Sequence, residues 1–339
     1  MAKYNFTEID MGKAYATFAV VMIHISAFVI GAATKGSQSY KVAIILNQLS
    51  RFSVPLFIIF SGLGLGLSYK KDKNLLRFYK KRLLKVIPPY ILWGIIYLTI
   101  INKNFNYNSW LELFLKGDKI FYHLYFLPLI IELYLFFPVL YIVSKKIWGV
   151  ILALILSGGV ITSAHYFNIP NLSLDFYSKR NPIFWLFYFC LGIYLSENIK
   201  KYREKFKCHK ALISCILLIC LSGILIETFI SIKVGKSLDY ATTFIRPSII
   251  IYSIIFTIYI LSRDFSQGRL FKFLKNISIN SFAIYFAHPL IIYYYIKIFK
   301  GYKISIGSLE FLISSFIISI IIPLIISMIF NKIKRKIKL

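Results

Sequence analysis

The chain has 339 residues, 58% of them hydrophobic and 18% aromatic, with a mean hydropathy of +0.70. That composition excludes a soluble globular protein and points to a polytopic membrane protein. The formal charge of +28, from 41 Lys and Arg against 13 Asp and Glu, would suggest nucleic acid in a soluble chain, but its distribution argues against that partner.

Near-continuous apolar runs predict about ten membrane spans. They lie at roughly 13–33, 42–68, 86–102, 122–144, 147–165, 182–198, 211–231, 244–262, 278–298 and 307–330. The even-numbered loops are basic. Loop 2–3 holds Lys70, Lys71, Lys73, Arg77, Lys80, Lys81, Arg82 and Lys85, and loop 4–5 holds Lys145 and Lys146. Loop 6–7 holds Lys200, Lys201, Arg203, Lys205, Lys207 and Lys210. Loop 8–9 holds Arg263, Arg269, Lys272 and Lys275, and the tail runs Lys332, Lys334, Arg335, Lys336, Lys338. The odd-numbered loops have fewer Lys and Arg, and most also carry acids such as Glu112, Asp118, Asp175 and Asp239. The positive-inside rule then puts both termini in the cytoplasm. The expected fold class is all-α: a polytopic helix bundle of the plasma membrane, its excess charge lying against anionic lipid.

The four cysteines, Cys190, Cys208, Cys215 and Cys220, show neither a disulfide framework nor zinc spacing. The first apolar run is too long for a signal-peptide core and reads as an uncleaved first helix. Polar loops are short and no fixed repeat is visible, so residues 1–339 read as a single membrane domain.

In the first span, Lys13 and His24 lie eleven residues apart. That is close to three helical turns, so both fall on one face, roughly 16 Å apart. Ionisable groups at membrane depth are costly and mark function by default. The plainer alternative is a snorkelling lysine and a histidine bonded to a neighbouring helix. In the second span Arg51 interrupts an apolar segment. It either needs an anionic or hydrogen-bonding partner within the membrane or marks the outer interface. Pro55 and the run Ser61-Gly62-Leu63-Gly64 permit a kink and close helix approach.

After span two comes Arg77-Phe78-Tyr79-Lys80-Lys81-Arg82-Leu83-Leu84-Lys85. If helical, Arg82 and Lys85 are i,i+3 neighbours and make a cationic face suited to phosphate. A polybasic topology signal is the alternative. Span four opens with His123 and Tyr125 at the outer boundary and carries Glu132 deeper. That carboxyl either stays protonated or pairs with Lys13, Arg51 or His24. Loop 5–6 offers Asp175, Tyr177, Lys179 and Arg180, polar and aromatic groups common to carbohydrate sites and membrane surfaces alike. Arg246-Pro247 opens span eight on the outer side. Span nine carries Ser281, Tyr285 and His288.

These motifs, in this order, resemble acyltransferase family 3, ten-span membrane enzymes that acylate surface polysaccharides, peptidoglycan, glycolipids or small antibiotics. The first helix keeps the family's spacing with Lys13 in place of its arginine, ending on His24. Arg82-Leu83-Leu84-Lys85 followed by Pro88 resembles the family's basic motif, again with one lysine. Further likeness lies in Arg51 to Phe57 with Ser61-Gly62, in His123 to Leu127, and in Ser281 to His288. The resemblance implies an acyl-CoA donor, usually acetyl-CoA, at the cytoplasmic face, no metal, and a carbohydrate or glycolipid acceptor on the outer side. Some members resembling this chain are associated with export or succinylation of poly-N-acetylglucosamine, so acetyl and succinyl both stay open. A mechanism that fits these residues has His24 as general base or acyl carrier, with Lys13, Arg51 or Ser61 stabilising the oxyanion and Glu132 orienting His24. Arg77, Arg82 and Lys85 would hold the CoA phosphates. Arg51, Ser61, His123, Tyr125, Arg180, Ser281, Tyr285 and His288 are the remaining substrate-binding or structural polar positions. A polysaccharide exporter without acyl transfer is the competing expectation.

Overall fold

The computed structural model describes residues 7–69, 74–167, 178–265 and 268–337. Lys70, Lys71, Lys73, Asp175, Tyr177 and Lys338, singled out above, lie outside them. Among the described residues there are helices and no strands. In chain order the helices are α1 Thr7–Ala32, α2 Gln38–Leu49, α3 Ser53–Tyr69, α4 Leu75–Ile96, α5 Trp110–Lys116, α6 Phe126–Leu135, α7 Phe137–Ser144 and α8 Ile147–Thr162. They continue with α9 Ile183–Glu197, α10 Ile199–Cys208, α11 Lys210–Lys233, α12 Leu238–Thr242, α13 Pro247–Leu261, α14 Arg269–Gly301 and α15 Leu309–Ile337.

Among the described residues, eight helical segments are long and apolar enough to cross a membrane. At the expected fourth span, α6 and α7 meet at a 66° bend, the form of a broken span or a re-entrant loop. The expected sixth is α9, whose 15 residues fall short of the roughly 20 a perpendicular span needs. The chain is a multi-pass plasma-membrane helix bundle, its ten apolar segments unequal in kind.

The described chain divides into two compact units: Met1–Phe57 with Arg203–Leu339, and Ile58–Tyr202. In the first unit α1 is central, packed against α2, α13, α14 and α15. Its alanines explain why: Ala14, Ala16 and Ala19 are buried, and small side chains let neighbouring helices approach within a bilayer. Met11, Val21, Ile25 and Val29 of α1 share a core with Ile284 of α14 and Phe311 of α15. At one end Glu8 pairs with Arg203 of α10, Lys207 pairs with Asp264, and Ser278 donates to Asp10 at 3.3 Å. Burial lowers the Arg203 guanidinium's pKa from its ordinary value, with Asp264 and Glu204 opposing. These helix ends are the ones the loop charges assign to the cytoplasm.

In the second unit α9 packs on α7 and α8, and α4 on α6. Glycines set the approach of α3 to α9. A Cβ at Gly62 would run into the Phe189 carbonyl and lie 3.2 Å from the Ile193 nitrogen, and one at Gly192 would lie 2.9 Å from the Leu63 nitrogen. Gly66 faces Ser196. The expected close approach therefore uses Gly62 and Gly66, one turn apart, while Gly64 faces open space.

Candidate active site

The first unit gathers most of the polar groups singled out in the apolar segments. His24 is half-buried on α1, and its ring stacks on that of His288, with centroids 5.4 Å apart and planes at 28°. His288 is fully buried. Its Nδ1 lies 2.9 Å from the Ile284 carbonyl. A carbonyl only accepts, so Nδ1 carries the proton, and in the neutral ring Nε2 carries the lone pair. Ser281, Tyr285 and His288 follow i, i+4, i+7 spacing and share a face of α14. The Tyr285 ring lies 6.3 Å from that of His288. Lys13 is half-buried on the same continuous helix, and its carbonyl accepts from Thr17 Oγ1 at 2.8 Å.

Arg51 lies inside the interrupted second span. Expected as one kinked helix, that span is broken at Ser50–Phe52 into α2 and α3. The Ser53 nitrogen bonds the Ser50 carbonyl at 3.2 Å, which leaves the Leu49 carbonyl to the Tyr252 hydroxyl at 2.6 Å. Irregular backbone survives at membrane depth only when such partners exist. Pro55 is the third residue of α3, in the first turn, where its missing N–H costs nothing. The break places Arg51 so that it donates to Asn47 Oδ1 at 2.6 Å. Asn47 donates in turn to Ile23 and Ser26 of α1, on either side of His24. Arg51 thus has a hydrogen-bonding partner on its own segment, Asn47.

A cavity of about 580 Å³ opens beside α1, lined by Tyr15, Phe18, Met22, Phe256 and Arg263 among others. At about 100° per residue, Tyr15, Phe18 and Met22 lie on the side of α1 opposite Lys13 and His24.

The second unit holds the other positions. Arg77, Arg82 and Lys85 are on α4, which begins at Leu75 under an Asn74 cap. The basic run is therefore helical, and Arg77, Lys81, Lys85 and Arg82 fall within an arc of about 140°. Arg77 and Lys85 are exposed and Arg82 is half-buried. Ser61 shares a 2.8 Å hydrogen bond with the Tyr134 hydroxyl. Glu132 is half-buried on α6, one turn before the bend. His123 is buried among the rings of Tyr97, Phe121 and Tyr122. Lys179 lies over the Tyr125 ring at 4.8 Å and donates to the Tyr122 carbonyl at 3.2 Å. Burial lowers the Lys179 pKa from its ordinary value, opposed by Asp118. Arg180 pairs with Asp118 at 3.4 Å.

From the sequence, Glu132 and not His288 is the candidate partner of His24, and neither Asn47 nor Gln48 stands out as a site residue. Two adjacent amides inside an apolar run were the available signal, since buried amides must find partners.

A half-buried and a fully buried histidine stack on one another inside a multi-pass helical membrane protein, and ionisable groups within such a bundle mark a candidate functional site. A family profile described as an acyltransferase domain matches residues 6–329. The chain belongs to acyltransferase family 3 and is a membrane acyltransferase. It is also similar to proteins named probable poly-beta-1,6-N-acetyl-D-glucosamine export protein from Staphylococcus aureus strains MSSA476, MW2 and N315. Each is 26% identical over 264 residues, covering 73% of this chain and 71% of the relative. No solved structure matches it.

Proposed function

We propose that the protein moves an acetyl or succinyl group from a cytoplasmic acyl-CoA to a hydroxyl of a cell-surface carbohydrate or glycolipid, the whole chain working as one acyltransferase domain. The observation that carries this reading is the His24–His288 stack within a family of acyltransferases. His24 acts as general base. It takes the proton of the acceptor hydroxyl as the oxygen attacks the thioester carbonyl. The C–O bond forms, the C–S bond breaks, and the proton passes to the departing CoA sulfur. His288, its Nδ1 proton committed to Ile284, packs on the imidazole and fixes its plane. The Arg51 guanidinium stabilises the charge that develops on the carbonyl oxygen, and Lys13 adds a second positive charge on the His24 face. Arg77, Arg82 and Lys85 bind the CoA phosphates. Lys13 and Lys85 are point charges and hold an anion without arginine's bidentate fork.

The relatives' printed name favours a second reading, export of a poly-N-acetylglucosamine chain without acyl transfer, and it nominates that polymer as acceptor under the first. Reconstituted protein, labelled acetyl-CoA and succinyl-CoA, and β-1,6-linked N-acetylglucosamine oligomers separate the two. Acyl transfer predicts label in the glycan, reduced at least tenfold by Arg82→Gln. Glycan crossing the vesicle membrane with no label incorporated would overturn it.

A further inference from the structure

Asn47 is buried on α2, and its carboxamide makes four hydrogen bonds. Nδ2 donates to the Ile23 carbonyl at 3.1 Å and to Ser26 Oγ at 3.0 Å. Oδ1 accepts from Arg51 at 2.6 Å and from Gln48 Nε2 at 3.0 Å. Two donors and two lone pairs are thereby used up. The orientation is determined, because the Ile23 carbonyl can only accept and the Arg51 guanidinium can only donate. Ser26 spends its own proton on the Met22 carbonyl at 2.6 Å, so it has a lone pair to offer Asn47.

The groups held are those that matter for the chemistry. The Ile23 carbonyl belongs to the planar peptide that joins Ile23 to His24, so Asn47 holds the backbone from which the His24 side chain leaves α1. The other end of the same amide holds Arg51. Gln48 anchors the amide from behind: its Oε1 accepts from Arg246 at 2.5 Å, and Arg246 is fully buried, bonded to Thr228 Oγ1 and the Ala241 carbonyl at 3.0 Å each.

We propose that Asn47 is a positioning residue that sets the His24 imidazole and the Arg51 guanidinium relative to one another across a single rigid amide. The proposal rests on the reading of His24 as base and Arg51 as oxyanion partner. Asn47→Asp keeps an acceptor for Arg51 but loses both donors to α1, and Asn47→Leu loses both ends. Full-length protein reconstituted with acetyl-CoA and β-1,6-linked N-acetylglucosamine oligomers should show kcat falling about 100-fold in both variants, the scale of losing one preorganised polar group, with KM for acetyl-CoA within twofold of wild type. Asn47→Gln, with the same amide one methylene longer, should recover part of the loss. An unchanged kcat, or a KM that rises as kcat falls, would overturn the proposal.

A readout independent of turnover keeps the two readings apart. Diethyl pyrocarbonate modifies imidazoles, and its rate at His24 can be followed by mass spectrometry of that peptide in folded protein. The rate should change at least threefold in Asn47→Leu at a temperature where the variant is fully folded, and an unchanged rate counts against positioning. If wild type shows no acyl transfer while the His24 rate still responds to Asn47, the positioning stands and acyl transfer fails.

Discussion

His288 shows how much a single hydrogen bond decides. Its ring could carry either tautomer in isolation, but the Ile284 carbonyl at 2.9 Å selects the Nδ1 proton. The stacked partner of His24 thus presents a defined imidazole face. His288→Phe preserves a flat ring against His24 while removing both nitrogens. Acyl transfer should fall about 10- to 100-fold, the scale seen when the partner that orients a metal-ligating histidine is removed, with little change in melting temperature. The check is kcat measured beside thermal unfolding in detergent. Lys13, His24, Arg51 and His288 were legible in the sequence because charged or titratable groups stand out in apolar runs. Their partners were not. Nothing local in α1 or α14 says that His24 and His288 meet, since that contact is made by helix packing between segments far apart in the chain. Asn47 was passed over because an uncharged amide costs less at membrane depth than a charge and so signals more weakly.

At the scale of helices, two departures from uniform spans matter. The α2–α3 break puts Arg51 within reach of Asn47, and it is held open by Tyr252 on α13. Tyr252→Phe leaves the Leu49 carbonyl without that hydroxyl and should cost about 1–3 kcal/mol, the penalty for an orphaned buried acceptor, seen as a lower melting temperature. Pro55 announced a disruption in the sequence, and the backbone yields at Ser50–Phe52, around Arg51, whose carbonyl is the i−4 acceptor that Pro55 has no N–H to reach. The α3–α9 contact is the second case. Gly192→Val places a branched side chain against the Ile59 and Leu63 backbone and should destabilise the second unit by about 1–3 kcal/mol or more, read by the same unfolding assay. The basic run at Arg77–Lys85 was legible as charge. Its helical form was a conditional expectation, since the charges depress hydropathy at the very turns where α4 begins.

Across the whole molecule, the net charge of +28 is the topology written in side chains. Ion pairs tie the start of α1 to α10, and α10 to Asp264 just past α13, bringing together segments that the loop charges assign to one side. Cys208 is exposed on α10 and serves as a native reporter. A membrane-impermeant maleimide should leave it unlabelled in intact cells and label it in inside-out vesicles; labelling in intact cells would reverse the assigned orientation.

Acyl transfer by His24 is tested most directly by CoA release. Purified, reconstituted protein is given acetyl-CoA or succinyl-CoA with β-1,6-linked N-acetylglucosamine oligomers, and wild type is compared with His24→Ala. Acceptor-dependent release by wild type, lowered at least 100-fold in His24→Ala as expected for loss of a general base, is the predicted result. Equal release by both proteins, or no release from either donor while glycan crosses the membrane, contradicts it.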